Sequence, residues 1–461
     1  MRSPTEVIIA ASVTQLVPRV APFEEARAAF YAADYDVCLS RLEGNTSLDA
    51  GLLATRTLLR LRRSGEADRL LQMLSHDVEH YGTMRVRAEH ALLQAVALSQ
   101  RDGGTADEVF HTARVLAIAS CDQALVGEVE MLYGVAAFGV GDLERAEKQM
   151  DRAVEESTDA VVNCWVRQTR GAIAAVRGNL AAQLDYESHN LDIVCSLPQQ
   201  DVWLESWVLY NLSVLARELD RQDVGLRVRE RAALLRWTPA TALQEFQTFR
   251  HLAYTAALAG DAITTFRYLR KSAEAAPSAS WRMAVVLDGA FFYRELGERT
   301  AMTERVDAAV ELSTRIDWES SSGEERFALL ELVELLAASD PVAARSYLAT
   351  YSGVRRDIAP HLIYKLDARP RALESHRRGL VAAALGDIAT AAPLLAEAIA
   401  FWESRGILWR AATASVDLAL LTSDRADVAR AARYAQRWPH AWFAKRFLAG
   451  GANAQVARSP Q

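Results

Sequence analysis

The 461-residue sequence lacks an excess of positive charge. Its 52 Lys and Arg against 59 Asp and Glu leave a formal net charge of −7, and the basic residues are mixed with acids rather than gathered in a stripe. That weighs against direct binding of duplex nucleic acid, which draws on a concentrated basic surface. The pairs Arg62-Arg63, Arg355-Arg356 and Arg377-Arg378 read as solvated helix faces. Cysteine is scarce: Cys38, Cys121, Cys164 and Cys195 are far apart and form no C-x-x-C pair. They make neither a disulfide framework nor a zinc knuckle and suit a reducing compartment, so a cytoplasmic location is expected. No apolar run approaches the roughly 20 residues of a membrane helix, so no membrane association is expected. The opening MRSPTEVIIAASVTQLV has one Arg before the apolar Val7 to Val13 and carries Glu6 in the flank, which is unlike a secretory leader. Proline is also thin at 12, and most of it (Pro198, Pro239, Pro277, Pro341, Pro360, Pro370) falls between predicted helices. Pro393 is the exception and fits a helix only near its first turn. β-Branched runs are scarce beyond the first 20 residues.

Catalytic signatures are missing too. There is no G-x-x-x-x-G-K-[ST] loop for a nucleotide and no strand–turn–helix setting for a nucleophilic serine. His76-Asp77-Val78-Glu79-His80 matches H-x-x-E-H, which on a helix would put two imidazoles one turn apart with Glu79 as base. No third ligand is identifiable, and the stretch sits at a predicted helix end where His caps carbonyls. A solvated helix end is the reading adopted, and no metal, cofactor or catalytic residue is expected. Asn45-Thr46-Ser47 and Asn211-Leu212-Ser213 fit a glycosylation pattern but read as a turn and a helix interior.

What the sequence does have is a repeat. Leu132 to Glu155, LYGVAAFGVGDLERAEKQMDRAVE, writes out one helical hairpin. Gly134 is small where a second helix comes close, Gly141-Asp142 is the turn, and Ala146 and Ala153 lie seven apart on one stripe of the second helix. Gly178-Asn179 follows Gly141 by 37 residues, Gly297-Glu298 follows Gly260-Asp261 by 37, and Ser423 follows Gly386 by 37. Gly386-Asp387 carries Gly379, Ala391 and Ala398 at the offsets of Gly134, Ala146 and Ala153. With weaker turns, eleven hairpins are predicted, anchored near residues 33, 65, 104, 141, 178, 220, 260, 297, 340, 386 and 423. Helix axes pack about 8–10 Å apart, and the close end of that range needs Gly or Ala at the crossing. One such pair cannot bury all its apolar surface, so pairs stack. The polar WESSSGEE segment from Trp318 to Glu325 predicts a loop with Ser321 or Ser322 as helix N-cap.

The pattern of small residues, Gly134, Gly141, Ala146 and Ala153, with Pro277 as a closing proline, resembles tetratricopeptide repeats. The family's large aromatic early in the first helix is present only in some repeats. The resemblance implies an all-α, TPR-like α-solenoid or superhelix of about eleven helical hairpins. The expected organisation is a lead-in over 1–21, a continuous array over 22–447 and a flexible tail over 448–461. More narrowly, ALGDIATAAPLLAEAIAFWESRGILWRAATASVDLALL (Ala384 to Leu421) resembles the helical sensor arm of LuxR/MalT-type bacterial transcription activators. RYAQRWPHAWFAKRF (Arg433 to Phe447) resembles the stretch leading into their helix-turn-helix domain.

In tetratricopeptide-like superhelices the first helices line a concave groove. Counted from each turn, its candidate binding residues here are Trp165, Gln168, Trp207, Tyr210, Arg217, Arg250, Tyr254 and Arg294. Aromatic and Arg side chains together suit a partner-binding face, being rigid or fork-shaped; the plainer alternative is that they fill a core. The expected function is a non-enzymatic scaffold that takes a protein or peptide partner, or a small effector, along this groove. The runner-up is a ligand-sensing or oligomerising regulatory arm without its DNA-binding domain. Under that reading Trp438, Trp442 and Phe443 mark a domain junction or a homodimer surface, against the simpler option that they cap the last hairpin.

Overall fold

The computed structural model describes residues 22–102, 104, 106–356 and 368–458, with side chains described through 354 and from 368 to 450. The lead-in over 1–21 lies outside the described residues. Within them the chain is all-α: 23 α-helices, one short 3-10 turn over Pro239–Thr241, and no strand. The helices fall into two units by packing. One comprises residues up to Asp102 together with Ala106–Leu125; the other comprises Gly103–Thr105 and Val126 onward.

The first unit holds α1 (Pro22–Tyr31), α2 (Tyr35–Leu42), α3 (Leu48–Arg60), α4 (Ser64–Tyr81), α5 (Met84–Asp102) and α6 (Asp107–Ala119). Its core gathers Leu52, Leu58 and Leu59 of α3, Ala67 and Leu71 of α4, and Leu93 and Ala97 of α5. The turn expected near Gly65 falls earlier: Arg62 takes a positive φ of 59°, and Gly65 lies in the first turn of α4. The H-x-x-E-H stretch is the exposed end of α4, where His80 Nδ1 is 2.8 Å from the His76 carbonyl oxygen. No cluster of three metal-binding side chains occurs among the described residues.

The chain continues through α7 (Gln123–Gly139), which begins at the end of the first unit. It is followed by α8 (Leu143–Glu156), α9 (Ala160–Val176), α10 (Leu180–Ser196), α11 (Val202–Glu218), α12 (Gln222–Ala232), α13 (Ala242–Leu258), α14 (Ala262–Ala275), α15 (Ala279–Leu296) and α16 (Arg299–Ser313). Then come α17 (Phe327–Leu336), α18 (Pro341–Arg356), α19 (Arg369–Ala384), α20 (Ile388–Ser404), α21 (Leu408–Thr422), α22 (Arg425–Arg437) and α23 (Trp442–Arg458). The Gly-Asp and Gly-Asn turns have a two-part cause. Gly141, Gly178, Gly260 and Gly386 take φ between 81° and 92°, where a Cβ is disfavoured. The next residue then caps the following helix: Asp142, Asn179, Asp261 and Asp387 accept from the backbone N–H three residues on.

The crossing rule holds at the two best-marked pairs. A Cβ on Gly134 would stand 2.5 Å from Met150 Cε, and one on Gly379 would stand 2.9 Å from Leu395 Cγ. Ala146, Ala153, Ala391 and Ala398 are fully buried. Pro393 sits in the second turn of α20 rather than its first, so one backbone hydrogen bond is forgone without ending the helix. Neither Ser321 nor Ser322 is the N-cap of α17, which is Arg326; Ser322 Oγ accepts from Glu325 N and Glu325 Oε2 accepts from Ser322 N across the turn that precedes the helix. The expected tail from 448 is helical as far as Arg458, as part of α23.

Within the second unit the late helices come back against the early ones. Arg405 Nη1 donates to the Val176 carbonyl, and a Cβ on Gly178 would collide with that guanidinium. Trp438 Nε1 donates to Asp220 at 2.6 Å, and a Cβ on Gly260 would meet His440 Cβ at 2.7 Å. Arg410 of α21 donates to Glu218 of α11 at 3.3 and 3.4 Å. Trp438, Trp442 and Phe443 are buried by this return, so they form no exposed patch.

Candidate ligand-binding cavity

Those returning contacts border a partly open cavity of about 240 Å³ in the second unit. Its wall comes chiefly from the first helix of each successive pair. α11 gives Tyr210, Arg217 and Glu218; α13 gives Gln247, Arg250, His251 and Tyr254; α15 gives Asp288 and Phe291. Further round, α17 gives Glu331 and Glu334, α19 gives His376 and Arg377, and α21 gives Trp409 and Arg410, while Trp442 of α23 reaches in from the C-terminal end. Trp442 packs edge-on to Phe291 and Trp409, at ring distances of 5.3 and 5.8 Å, with Tyr254 6.4 Å away.

The wall mixes apolar side chains with buried charges. Arg250 donates to both oxygens of Asp288, at 2.6 and 3.0 Å, and to Glu331 Oε1 at 2.5 Å, while the Tyr254 hydroxyl donates to Asp288 Oδ1 at 2.7 Å. Glu218 alone serves two guanidiniums, Arg217 and Arg410. Glu334 likewise takes Arg294 and Arg377. His376 Nε2 is 2.7 Å from Asp417, which also holds Arg446 at 2.7 Å.

Burial sets the protonation states, and neighbours oppose or reinforce it. Burial alone would raise the Glu218 carboxyl, but Arg217 and Arg410 hold it at about 2. Burial pushes Glu331 above the ordinary carboxylate value, Arg250 opposing and Asp288 adding to the rise. Burial, reinforced by Arg217, Arg250 and Arg410, drives His251 well below the usual imidazole value, so it is neutral. Burial outweighs the Asp417 hydrogen bond and lowers His376 as well.

Hydrogen bonding round the wall is incomplete. Arg217 Nε, Arg377 Nε and the indole Nε1 of Trp402, Trp409 and Trp442 are buried donors without a partner among the described residues. Gln247 Oε1, His251 Nδ1 and Glu331 Oε2 are buried there on the same terms. Buried polar groups are nearly always satisfied, and each unsatisfied one costs about 1–3 kcal/mol. All eight belong to side chains that line this one cavity.

Of the residues singled out by sequence, Tyr210, Arg217, Arg250 and Tyr254 line the cavity, and Arg294 supports it through Glu334. Trp165, Gln168 and Trp207 do not line it. Trp165 and Trp207 belong to a half-buried aromatic row, Trp165–Trp203–Trp207–Tyr210, with ring distances of 5.3, 6.2 and 5.7 Å, that ends with Tyr210 stacked on His251, and Gln168 is half-buried on the helix of Trp165. Sequence reasoning missed Glu218, His251, Asp288, Glu331, Glu334, Arg377, Trp409 and Trp442. The period held part of the answer: steps of 37 lead from Arg217 to Tyr254 to Phe291, and from Val214 to His251 to Asp288. Glu331, Arg377 and Trp442 follow longer or irregular connections, and no fixed step reaches them.

No family model matches this chain, and no curated protein matches it either.

Proposed function

We propose that the chain is a non-enzymatic, cytoplasmic, tetratricopeptide-like helical-repeat protein whose second unit receives a small polar effector. This is the sensor-arm reading of the LuxR/MalT-like segment. The observation that carries it is the ring of eight buried, unpartnered polar atoms around one cavity. A stability-driven core would hold paired groups or apolar ones there, because unpaired buried polar groups are net costs. In this reading the first helices of the stacked pairs supply the site, and the returning C-terminal helices partly close it instead of leaving an open trough. Trp442 then belongs to the binding wall.

A second reading, the scaffold for a peptide partner, draws on the aromatic row from Trp165 to Tyr210. With Gln168 Oε1 and Trp207 Nε1 also unpartnered, that row offers an extended face leading to the cavity.

The effector reading is tested by native mass spectrometry and thermal melting of the full chain against a library of polar metabolites. Co-purified mass or a raised melting temperature is expected, and it should be lost in Trp442→Ala while that variant keeps its helical circular dichroism. A chain that carries nothing, and that no compound stabilises, discards this reading; capture of peptides without any metabolite effect favours the second.

A further inference from the structure

The cavity's unpartnered groups fall into two sets. One goes with a single carboxylate, Glu218, shared by Arg217 and Arg410; Arg217 Nε, Arg377 Nε and the Trp409 indole N–H lack partners among the described residues. That set has more donors than acceptors. The other goes with one guanidinium, Arg250, held by two carboxylates, Asp288 and Glu331; Glu331 Oε2 and Gln247 Oε1 lack partners among the described residues. That set has the opposite excess. The rings of Tyr254, Phe291 and Trp442 line the same cavity.

We infer that the ligand, if the effector reading above holds, is a small zwitterion with an apolar body, its carboxylate received at Arg217 and Arg377 and its ammonium at Glu331. An anion alone would leave the Glu331 oxygen unpaired, and a cation alone would leave the two guanidinium Nε–H groups unpaired; for buried groups either omission is costly. The space suits such a molecule, since about 240 Å³ is roughly the share of eight waters at about 30 Å³ each. The protonation states agree. Glu331 is raised by burial and by Asp288 even with Arg250 on its other oxygen, and His251, lowered by burial and three guanidiniums, sits in a positive field that an anion would relieve.

The test is calorimetric titration of the full chain with five probes: L-phenylalanine, glycyl-L-phenylalanine, N-acetyl-L-phenylalanine, L-phenylalaninamide and maltose. Binding of one or both zwitterions is expected, with the acetylated and amidated forms weaker by about tenfold or more. Glu331→Gln should weaken the zwitterion while leaving N-acetyl-L-phenylalanine unchanged, and Arg217→Gln should weaken the zwitterion while leaving the amide unchanged. Tighter binding of maltose, or of either singly charged form, overturns the zwitterion and leaves the effector reading standing. If the zwitterions and all other probes fail to bind, the zwitterion is overturned as well, and the metabolite library then decides the effector reading separately.

Discussion

The two units use the same hairpin and spend their charge differently. In the first, most ion pairs lie at the surface: Arg63–Glu66 has side chains 44% and 43% exposed and Arg85–Asp122 is 67% and 28% exposed, while Arg56–Glu89 is 25% and 18% exposed. In the second, Arg250–Asp288 is 9% and 1% exposed, and Arg377–Glu334 is 7% and 11% exposed. Surface pairs contribute little to stability, and buried ones must recover a large desolvation cost. A fold that builds a sound apolar core around Leu52, Leu71 and Leu93 has no need of buried guanidiniums for folding. Their concentration around one cavity is the feature on which the proposed effector site draws.

The sharpest way to break this contrast is to remove one partner of a buried pair. Asp288→Ala strips Arg250 and Tyr254 of their shared acceptor and should cost about 3–5 kcal/mol in urea unfolding. Loss of less than about 1 kcal/mol would mean that the second unit's charges are hydrated like surface ones.

Next in size is a pH effect at another buried acid. Glu187 is fully buried, and burial raises its carboxyl to about 8, although Asn211 and Asn190 donate to it. Folded protein therefore holds this proton between about pH 4.5 and 8, where the unfolded chain releases it. Stability falls as pH rises through that window, and the loss is complete above it. Glu187→Gln should raise stability at pH 8.5 by on the order of a few kcal/mol and change little at pH 4.5. Parallel melting curves for parent and variant across that range would refute the assignment.

The hairpin crossing is shared by both units and should respond alike in each. Ala146→Leu and Ala67→Leu insert bulk at fully buried positions and should each cost about 1–3 kcal/mol by overpacking. A variant that melts with the parent would mean its crossing is looser than the register implies. The smallest effect is expected at the first unit's surface pair, where Glu66→Ala should leave the unfolding midpoint unmoved within error.

The turns at Gly141, Gly178, Gly260 and Gly386 were readable because each is local. A glycine that accepts positive φ and an Asp or Asn that caps the next helix are adjacent in sequence, and Gly134 and Ala146 recur as Gly379 and Ala391. Arg62 and Ser423 show the limit of that reading, since non-glycine residues also take the left-handed turn and leave a weaker mark. Four of the eight named site residues reached the cavity because they lie on first helices near the centre of the second unit. Trp165 and Gln168 sit on α9, which gives the cavity no lining residue, and Trp207 lies on α11 one turn before the first of that helix's lining residues, Tyr210.

By itself, then, the sequence determined that this chain folds as successive helix pairs, because turn geometry, capping and small-residue crossings act over a few residues. Only the tertiary structure decided that Arg410 would meet Glu218, 192 residues away, and that Trp442 would face Phe291. Those contacts join helices far apart in sequence, and no short motif records which of them will meet. They bring aromatics and arginines from separate helices to one cavity.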